Sequence, residues 1–551
     1  MSILRPLAVA LSSVIAAIGT ASPAIAQIIP DATLPVNSQV PPGCAQCLIN
    51  GGTERGVNLY HSFQDFSVPT GGFAWFNNAA HIQTILTRVT GNSMSTIDGL
   101  LRANGTASLF FLNHNGIVFG TNARLQVGGS FFATTANSFQ FANGREFSAI
   151  NPQAPPLLTI NVAPGLQSGR IAPGTTLTTR GTLTTGQDLF LEGDRLDLQG
   201  QLVAGQDLTL KAQDTIQIHD MTSTPVQVQS QGHLLIQGNQ GVNVVLLNHP
   251  DSGITSGQDL TLRSATPING DAHFRVGGTM RIEQLDGSLG DWGSQSDPVI
   301  FANGDFSFGN YTGASLHILA GGAVTSTGII AITGTGPVAS TINPTAFPQY
   351  ATVPLSDGTV VAIAGNTRPT LDIRAGIDWA QFGGLPGNQR LGTPAPQNPT
   401  VGGATSANIS VNVVIFFVPD GLALFSNQYH PQAALPGGNI TVNTLFADDV
   451  GAFTGNAGSV VIDGRANLTV TNLITTTSGS GNAGAITLLA QDTTAITGFG
   501  LRSNLSGGTG QSGTIALRTG SLSVTDGAQV VSNTFGQGDA GNVRISARDR
   551  V

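Results

Sequence analysis

One tetrapeptide returns along this chain at intervals too short for a domain. Gly186-Gln187-Asp188-Leu189 recurs as Gly205-Gln206-Asp207-Leu208, 19 positions on, and again as Gly257-Gln258-Asp259-Leu260, with Gly232-His233-Leu234-Leu235 as a degenerate copy between them. Each copy opens a run in which apolar residues alternate with polar ones. Leu189 and Leu191, Leu196 and Leu198, then Leu202 alternate with Glu192, Asp197 and Gln201, and the next unit repeats them as Leu208/Leu210, Ile216/Ile218 and Val226/Val228. Period-two alternation marks strands with one buried face. Three such strands in a unit of about 20 residues make one coil of a parallel β-helix. A single coil buries few aliphatic side chains and leaves both strand edges unpaired, so it gains stability only by stacking on neighbours ~4.8 Å away. The glycine-rich corners are expected to supply positive φ angles for tight turns.

A second repeat family follows. Gly455-Asn456-Ala457-Gly458 returns as Gly481-Asn482-Ala483-Gly484, Gly510-Gln511-Ser512-Gly513 and Gly538-Asp539-Ala540-Gly541, each followed by a strand-like run: 459–462, 485–489, 514–517 and 542–545. Between the two blocks, residues 336–438 are irregular and carry Pro386, Pro394, Pro396 and Pro399, yet hold an apolar run over 411–418. These read as coils interrupted by loops, either contact-bearing or featureless. The chain stops at Val551 soon after a strand with no polar capping element, so the expectation is that the natural protein continues or that the last coil is covered.

Composition narrows the function classes. With 72 Gly in 551 residues, 40% hydrophobic and only 10% charged, the chain is too apolar for disorder and too poor in charge for long exposed helices. Lys211 is the only lysine, the arginines are scattered and the net charge is −9, so no basic stripe exists for nucleic acid. At the N-terminus, Arg5 precedes an apolar run from Leu7 to Ile18, and Ala24-Ile25-Ala26 supplies a small-x-small cleavage signal. That is a secretory signal peptide over 1–26, too short and too broken by Ser12 and Ser13 to span a bilayer as an anchor. Cys44 and Cys47, the only cysteines, then enter an oxidising compartment, where they close a small disulfide or remain idle thiols. No second cysteine pair or nearby His-x-x-x-His completes a zinc site.

From about Val36 to Gly144 aromatics concentrate, as in Phe73-Ala74-Trp75-Phe76 and Phe110-Phe111. The ordered blocks are N-L-Y-H-S-F-Q-D-F-S-V at 58–68, R-V-T-G at 88–91, I-D-G at 97–99, L-F-F-L-N-H-N-G-I-V-F-G at 109–120 and L-Q-V-G-G-S-F-F-A-T-T at 125–135. This series resembles the haemagglutination-activity, or two-partner-secretion, domain of the filamentous haemagglutinin family, in its cyanobacterial form. The family's N-P-N-G is here Asn113-His114-Asn115-Gly116, and an earlier N-P is Asn78-Ala79; Asn and Gly, which tolerate left-handed backbone, remain. The resemblance implies an all-β, right-handed parallel β-helix, a single-stranded pectin-lyase-like solenoid with an N-terminal aromatic-rich cap.

It also implies recognition in the periplasm by an outer-membrane β-barrel transporter with POTRA domains, which delivers the chain to the surface or the medium. Asn58, His61, Phe63, Arg88, Asn113, Asn115 and Gly116 are the residues it points to for transporter recognition, some of which simply hold the cap together. The chain then divides into a signal peptide (1–26), a secretion domain (27–150), β-helix repeats (151–335), irregular Pro-rich coils (336–440) and a second repeat block (441–551).

The search for chemistry returns little. The nine histidines show no helical i, i+4 pairing, and His61 and His114 fall in family-like motifs as packing or turn residues. No nucleophile elbow, phosphate loop, dinucleotide fingerprint or EF-hand loop is present, and no cofactor or metal is expected. Candidate carboxylates for a β-helical polysaccharide enzyme are Asp448-Asp449 and Asp194 near Asp197 and Asp214, against which stands a ladder of solvated corner aspartates. The expectation is an adhesin, not an enzyme, presenting polar faces and loops to host or neighbouring cells or to polysaccharide. An exported polysaccharide-active enzyme, or a truncated large toxin or adhesin, is the alternative.

Overall fold

The computed structural model describes residues 27–142, 144–152, 167–296, 298–338, 340–386, 403–448 and 455–551. The signal-peptide reading, Pro394, Pro396, Pro399 and Asp449 lie outside them. Three parallel sheets run the length of the body, and each turn of the chain adds a strand to each in fixed order. The first sheet begins at Gln46–Gly51 and continues through Phe73–Phe76 and Leu100–Ala103. The second begins at Asn58–Ser67, Thr84–Val89 and Ser108–Asn113, and the third at Ser95–Ile97, Ile117–Phe119 and Thr176–Thr179. This is a parallel β-helix, wound in the right-handed sense that strand twist imposes on parallel crossovers. The described residues hold no α-helix and one 3-10 turn, Trp379–Phe382.

The tetrapeptide repeat is the register of the second sheet. Leu189 lies opposite Leu208, Leu208 opposite Leu234 and Leu234 opposite Leu260, all buried inside the coil. The degenerate copy therefore aligns on Leu234, which places His233 where the other copies have Asp. Those aspartates face the corner and tie successive coils: Asp188 accepts the Asp207 N–H at 3.2 Å, Asp207 the His233 N–H at 2.7 Å and Asp259 the Thr279 N–H at 2.8 Å.

The corner glycines act differently from the expectation. Gly186, Gly205, Gly257 and the glycines of the second repeat family are not among the positive-φ residues. Their role is close approach. A Cβ on Gly205 would meet the Gly186 carbonyl oxygen at 2.3 Å, one on Gly481 the Gly455 oxygen at 1.8 Å and one on Gly510 the Gly481 oxygen at 1.8 Å. Coil stacking brings backbone onto backbone at these corners, and only hydrogen fits between.

Two excursions cover outer faces. Ser138–Gln140, Glu146–Ser148 and Gln167–Ser168 form an antiparallel sheet that buries Tyr60, Leu86, Phe110 and Leu112 of the second sheet's outside under Phe139, Phe141 and Phe147. Later, residues 340–369 and the 3-10 turn Trp379–Phe382 lay Phe347, Tyr350 and Trp379 over Val299, Phe301 and Leu319 on the outside of the first sheet. Strands under such covers are buried on both faces, so Thr84–Val89 and Thr370–Arg374 are buried at every position.

Gly510→Val is expected to destabilise the last coils by about 1–3 kcal/mol, the cost of overpacking a close contact. Gly334→Ala, where an added Cβ meets nothing within 4 Å, is expected to be neutral. Denaturant melts with peptide-resolved hydrogen exchange check this, and equal stability of the two variants would contradict it.

Candidate functional site

The cap closes the first strand of the second sheet. Asn58–Ser67 pairs in parallel with Thr84–Val89 on one side, while Gln27–Pro30 and Thr53–Arg55 run antiparallel along its other edge. No edge is left open at this point for another chain to pair with. Inside, Phe63, Phe66, Phe76 and Phe111 pack with ring centroids 4.9–6.1 Å apart. Cys44 and Cys47 are bonded to each other beneath this cluster, with Cys47 fully buried.

Residues of the second sheet alternate between inside and outside. His61 and Phe63 point inward; Tyr60 and Ser62 point outward toward the excursion. His61 Nδ1 lies 3.0 Å from Ser38 Oγ, which itself accepts the Ser62 N–H. Burial pushes the His61 imidazole down to about 3, so it stays neutral.

Arg88 is the outward residue one coil above Ser62. Its guanidinium is fully buried and donates to Ser62 Oγ, the Ser148 carbonyl oxygen and Thr33 Oγ1, each at 2.9 Å, with its carbon 4.2 Å from the Phe147 ring centre. One side chain thus ties the N-terminal segment, the first coil and the covering sheet together. Burial lowers Arg88 to about 10, against the pull of Asp31 nearby. Asp31 gathers hydroxyls from Ser62, Thr90 and Thr33, each at 2.7 Å. Burial works to raise its carboxyl, and these hydrogen bonds outweigh it and hold the group below its usual value.

The N-H-N-G turn sits at the next corner. Asn113 Oδ1 accepts the Asn115 N–H at 3.0 Å, while its Nδ2 donates to the Ser93 carbonyl and Ser95 Oγ of the coil below. Asn115 Nδ2 donates to the Gly91 carbonyl at 2.8 Å. Gly116 has φ +119°, a conformation that requires glycine. In the R-V-T-G block, a Cβ on Gly91 would lie 2.2 Å from the Gln64 oxygen. In I-D-G, Asp98 takes the Asn122 N–H and the Thr70 hydroxyl across neighbouring coils.

All seven residues singled out in the sequence therefore lie in the first three coils. Asn58, His61, Phe63, Arg88 and Asn113 are fully buried or within 1% of it, and each of the seven is placed by coil-to-coil contacts. Asp31, Thr33, Ser62, Phe147 and Ser148, which complete the Arg88 network, escaped sequence reading. Their only signal was an isolated acid and threonine at positions 31 and 33. The surface these residues support is a groove of about 480 Å³ beside the covering sheet, where Phe132 stacks on Phe110 at 4.2 Å and lies 5.4 Å from Phe190, with Glu192 and Lys211 at its edge.

The candidate carboxylates are engaged in the scaffold. Asp194 accepts the Gly174 N–H, Asp197 faces Gln199 and His219, and Asp214 pairs with Arg195. Burial raises Asp448 to about 6, while it accepts the Thr476 N–H at 2.7 Å. Stacking also sets histidines beside carboxylates that are far away in sequence, including His81 with Glu54, His219 with Asp197 and His233 with Asp259. The most elaborate set is unanticipated: His317 lies between Asp372 at 3.2 Å and Thr341 Oγ1 at 2.7 Å, and Asp372 also takes two bonds from Arg374. This resembles a nucleophile–base–acid line, but every member is fully buried. It fastens Thr341 of the second covering excursion to the first sheet.

Arg88→Met is expected to cost about 3 kcal/mol by stranding its buried partners, and Arg88→Lys to restore little of it, since an ammonium cannot match the three-way geometry of the guanidinium. Unfolding melts check this, and a wild-type melt for Arg88→Met would contradict it. Because the folded His61 pKa lies below its ordinary 6.5, the unfolded chain binds the extra proton. Cap stability is therefore complete above pH 6.5 and declines as pH falls toward about 3. His61→Gln is expected to flatten that part of the profile in hydrogen exchange of the cap strands, and an unchanged slope would contradict it.

Residues 26–282 match the model of the TPS secretion domain family. Among solved structures, the HMW1 secretion domain from Haemophilus influenzae is 11% identical, with 94% of this chain and 99% of that chain covered and a TM-score of 0.26. The filamentous hemagglutinin secretion domain is 17% identical over 55% of this chain and 96% of that one, with a TM-score of 0.24. No curated protein matches the chain. At such TM-scores the assignment rests on the family match, and the fold on the chain's own strand register. Residues 26–282 are therefore a TPS secretion domain, which indicates an exoprotein of a two-partner secretion system.

Proposed function

We propose that this exoprotein is exported through a partner outer-membrane β-barrel transporter with periplasmic POTRA domains and acts outside the cell as an adhesin, on the surface or released. The observation that carries the reading is a TPS secretion domain whose first coils form a closed, aromatic-rich cap. A solenoid adds its coils one at a time, each docking on the one before, so folding outside favours forward movement. Asn58, His61, Phe63, Arg88, Asn113, Asn115 and Gly116 then serve recognition indirectly, by shaping the cap. The contact itself falls to exposed surface such as the Phe132–Phe190 groove.

The adhesin reading is favoured over a polysaccharide-active enzyme because the described candidate carboxylates take part in coil-to-coil or side-chain contacts instead of facing each other across a cleft. Long polar faces built from repeated coils suit contact over an extended surface. In a strain lacking the partner barrel, the processed chain is expected to accumulate in the periplasm, read by fractionation and surface labelling. Normal surface delivery in that strain would refute the export route.

A further inference from the structure

The outer face of the third sheet differs from the other two. Parts of the first and second sheets are roofed by excursions, whereas among the described residues neither covering cluster includes an outward residue of the third sheet. Along this bare face one row reads, in register, Asn269, Gly293, Thr312, Ala331, Ile415. The row is small in the middle and larger at both ends, with Phe446 following Ile415. The small residues make the floor of a trough of about 1160 Å³. It extends over four strand spacings, ~19 Å.

The walls carry neutral hydrogen-bonding groups. Gln295, Thr312 and Thr335 are exposed and have no side-chain partner among the described residues. Asn310 uses its carbonyl oxygen on the Ile329 N–H at 2.6 Å, which leaves its amide NH₂ for a ligand. Two exposed apolar side chains, Ile329 and Phe417, stand at the trough with 42% and 49% of their surface open. Among the described residues no Arg, Lys or His lines it, and the one carboxylate that does, Asp291, accepts the Asn310 N–H at 2.8 Å.

We propose that this trough binds a neutral polysaccharide chain, lying along the solenoid axis over Gly293, Thr312 and Ala331. A floor without side-chain bulk admits a ribbon of pyranose rings. Amides and hydroxyls on the walls exchange hydrogen bonds with ring hydroxyls, and Phe417 and Ile329 take their C–H faces. Sulfated or uronic chains fit less well, because their charge would be desolvated beside Asp291 without compensation from the described lining. The assignment rests on the adhesive reading above and names the ligand class for it.

The test is affinity electrophoresis of the full mature chain through native gels containing dextran, xylan, mannan or a mixed-linkage glucan, with alginate and dextran sulfate as anionic counterparts. At least one neutral polymer is expected to retard the protein, and neither anionic one to do so more strongly. Thr312→Arg and Phe417→Ala are each expected to weaken that binding about tenfold. Thr261→Arg, on the outside of the second sheet, is expected to leave it unchanged, with equal melting temperatures for all variants. Retardation by none of the neutral polymers, stronger binding of an anionic one, or wild-type binding by both trough variants would overturn the assignment. Whole-cell adhesion separates the two readings. Displayed protein that adheres without binding any neutral polymer removes the trough and keeps the adhesin; displayed protein that binds glycan but does not adhere removes the adhesin alone.

Discussion

Backbone hydrogen bonding between successive coils governs this molecule. Beyond the cap, the strands of the three long sheets find their partners one turn of chain away and in parallel, so no coil satisfies its own N–H and C=O groups. Stability is consequently a property of neighbours, and it needs a first strand whose far edge is already closed. The antiparallel strands Gln27–Pro30 and Thr53–Arg55 provide that closure. The Arg88 network makes it costly to undo, because releasing the N-terminal segment would strand a buried guanidinium and the buried groups it serves.

The corners obey the same constraint from another side. When coils stack at strand spacing, the turns stack as well, and backbone meets backbone there. Glycine is selected where a Cβ would strike the carbonyl of the coil beneath, and Asp or Asn where a turn N–H would otherwise go unmatched, as with Asp207 under His233 and Asn456 under Asn482. Repetition of Gly, Asn and Asp is therefore the imprint of stacking, and their chemistry is spent on the scaffold.

Much of the architecture was legible because the β-helix repeats its demands. Leu189, Leu208 and Leu260 are inward at one register position, and the tetrapeptide states that position outright. In the cap, the family-like block Asn113-His114-Asn115-Gly116 located a turn. The partners of Arg88 were hidden because Thr33 and Ser148 are 55 and 60 residues from it in sequence, one in an irregular segment and the other in the covering sheet. The reason for the corner glycines was also hidden, since φ and close approach leave the same letter in the sequence. The His317–Asp372–Arg374 set depends on an excursion that brings Thr341 back over the sheet, and no local pattern encodes that return.

The excursions also decide what is left for the outside world. They roof parts of two faces with aromatic side chains and, among the described residues, leave the third bare, so contact is concentrated on one side and on the corners. Whether coils truly depend on the ones before them is tested most directly by native-state hydrogen exchange of the full chain in rising denaturant. The account predicts that amides of Asn58–Ser67, Thr84–Val89 and Ser108–Asn113 open last, and those of Val543–Arg550 first, with each coil protected no longer than its N-terminal neighbour outside the roofed region. Protection that is uniform along the chain, or terminal coils that outlast the cap, would contradict it.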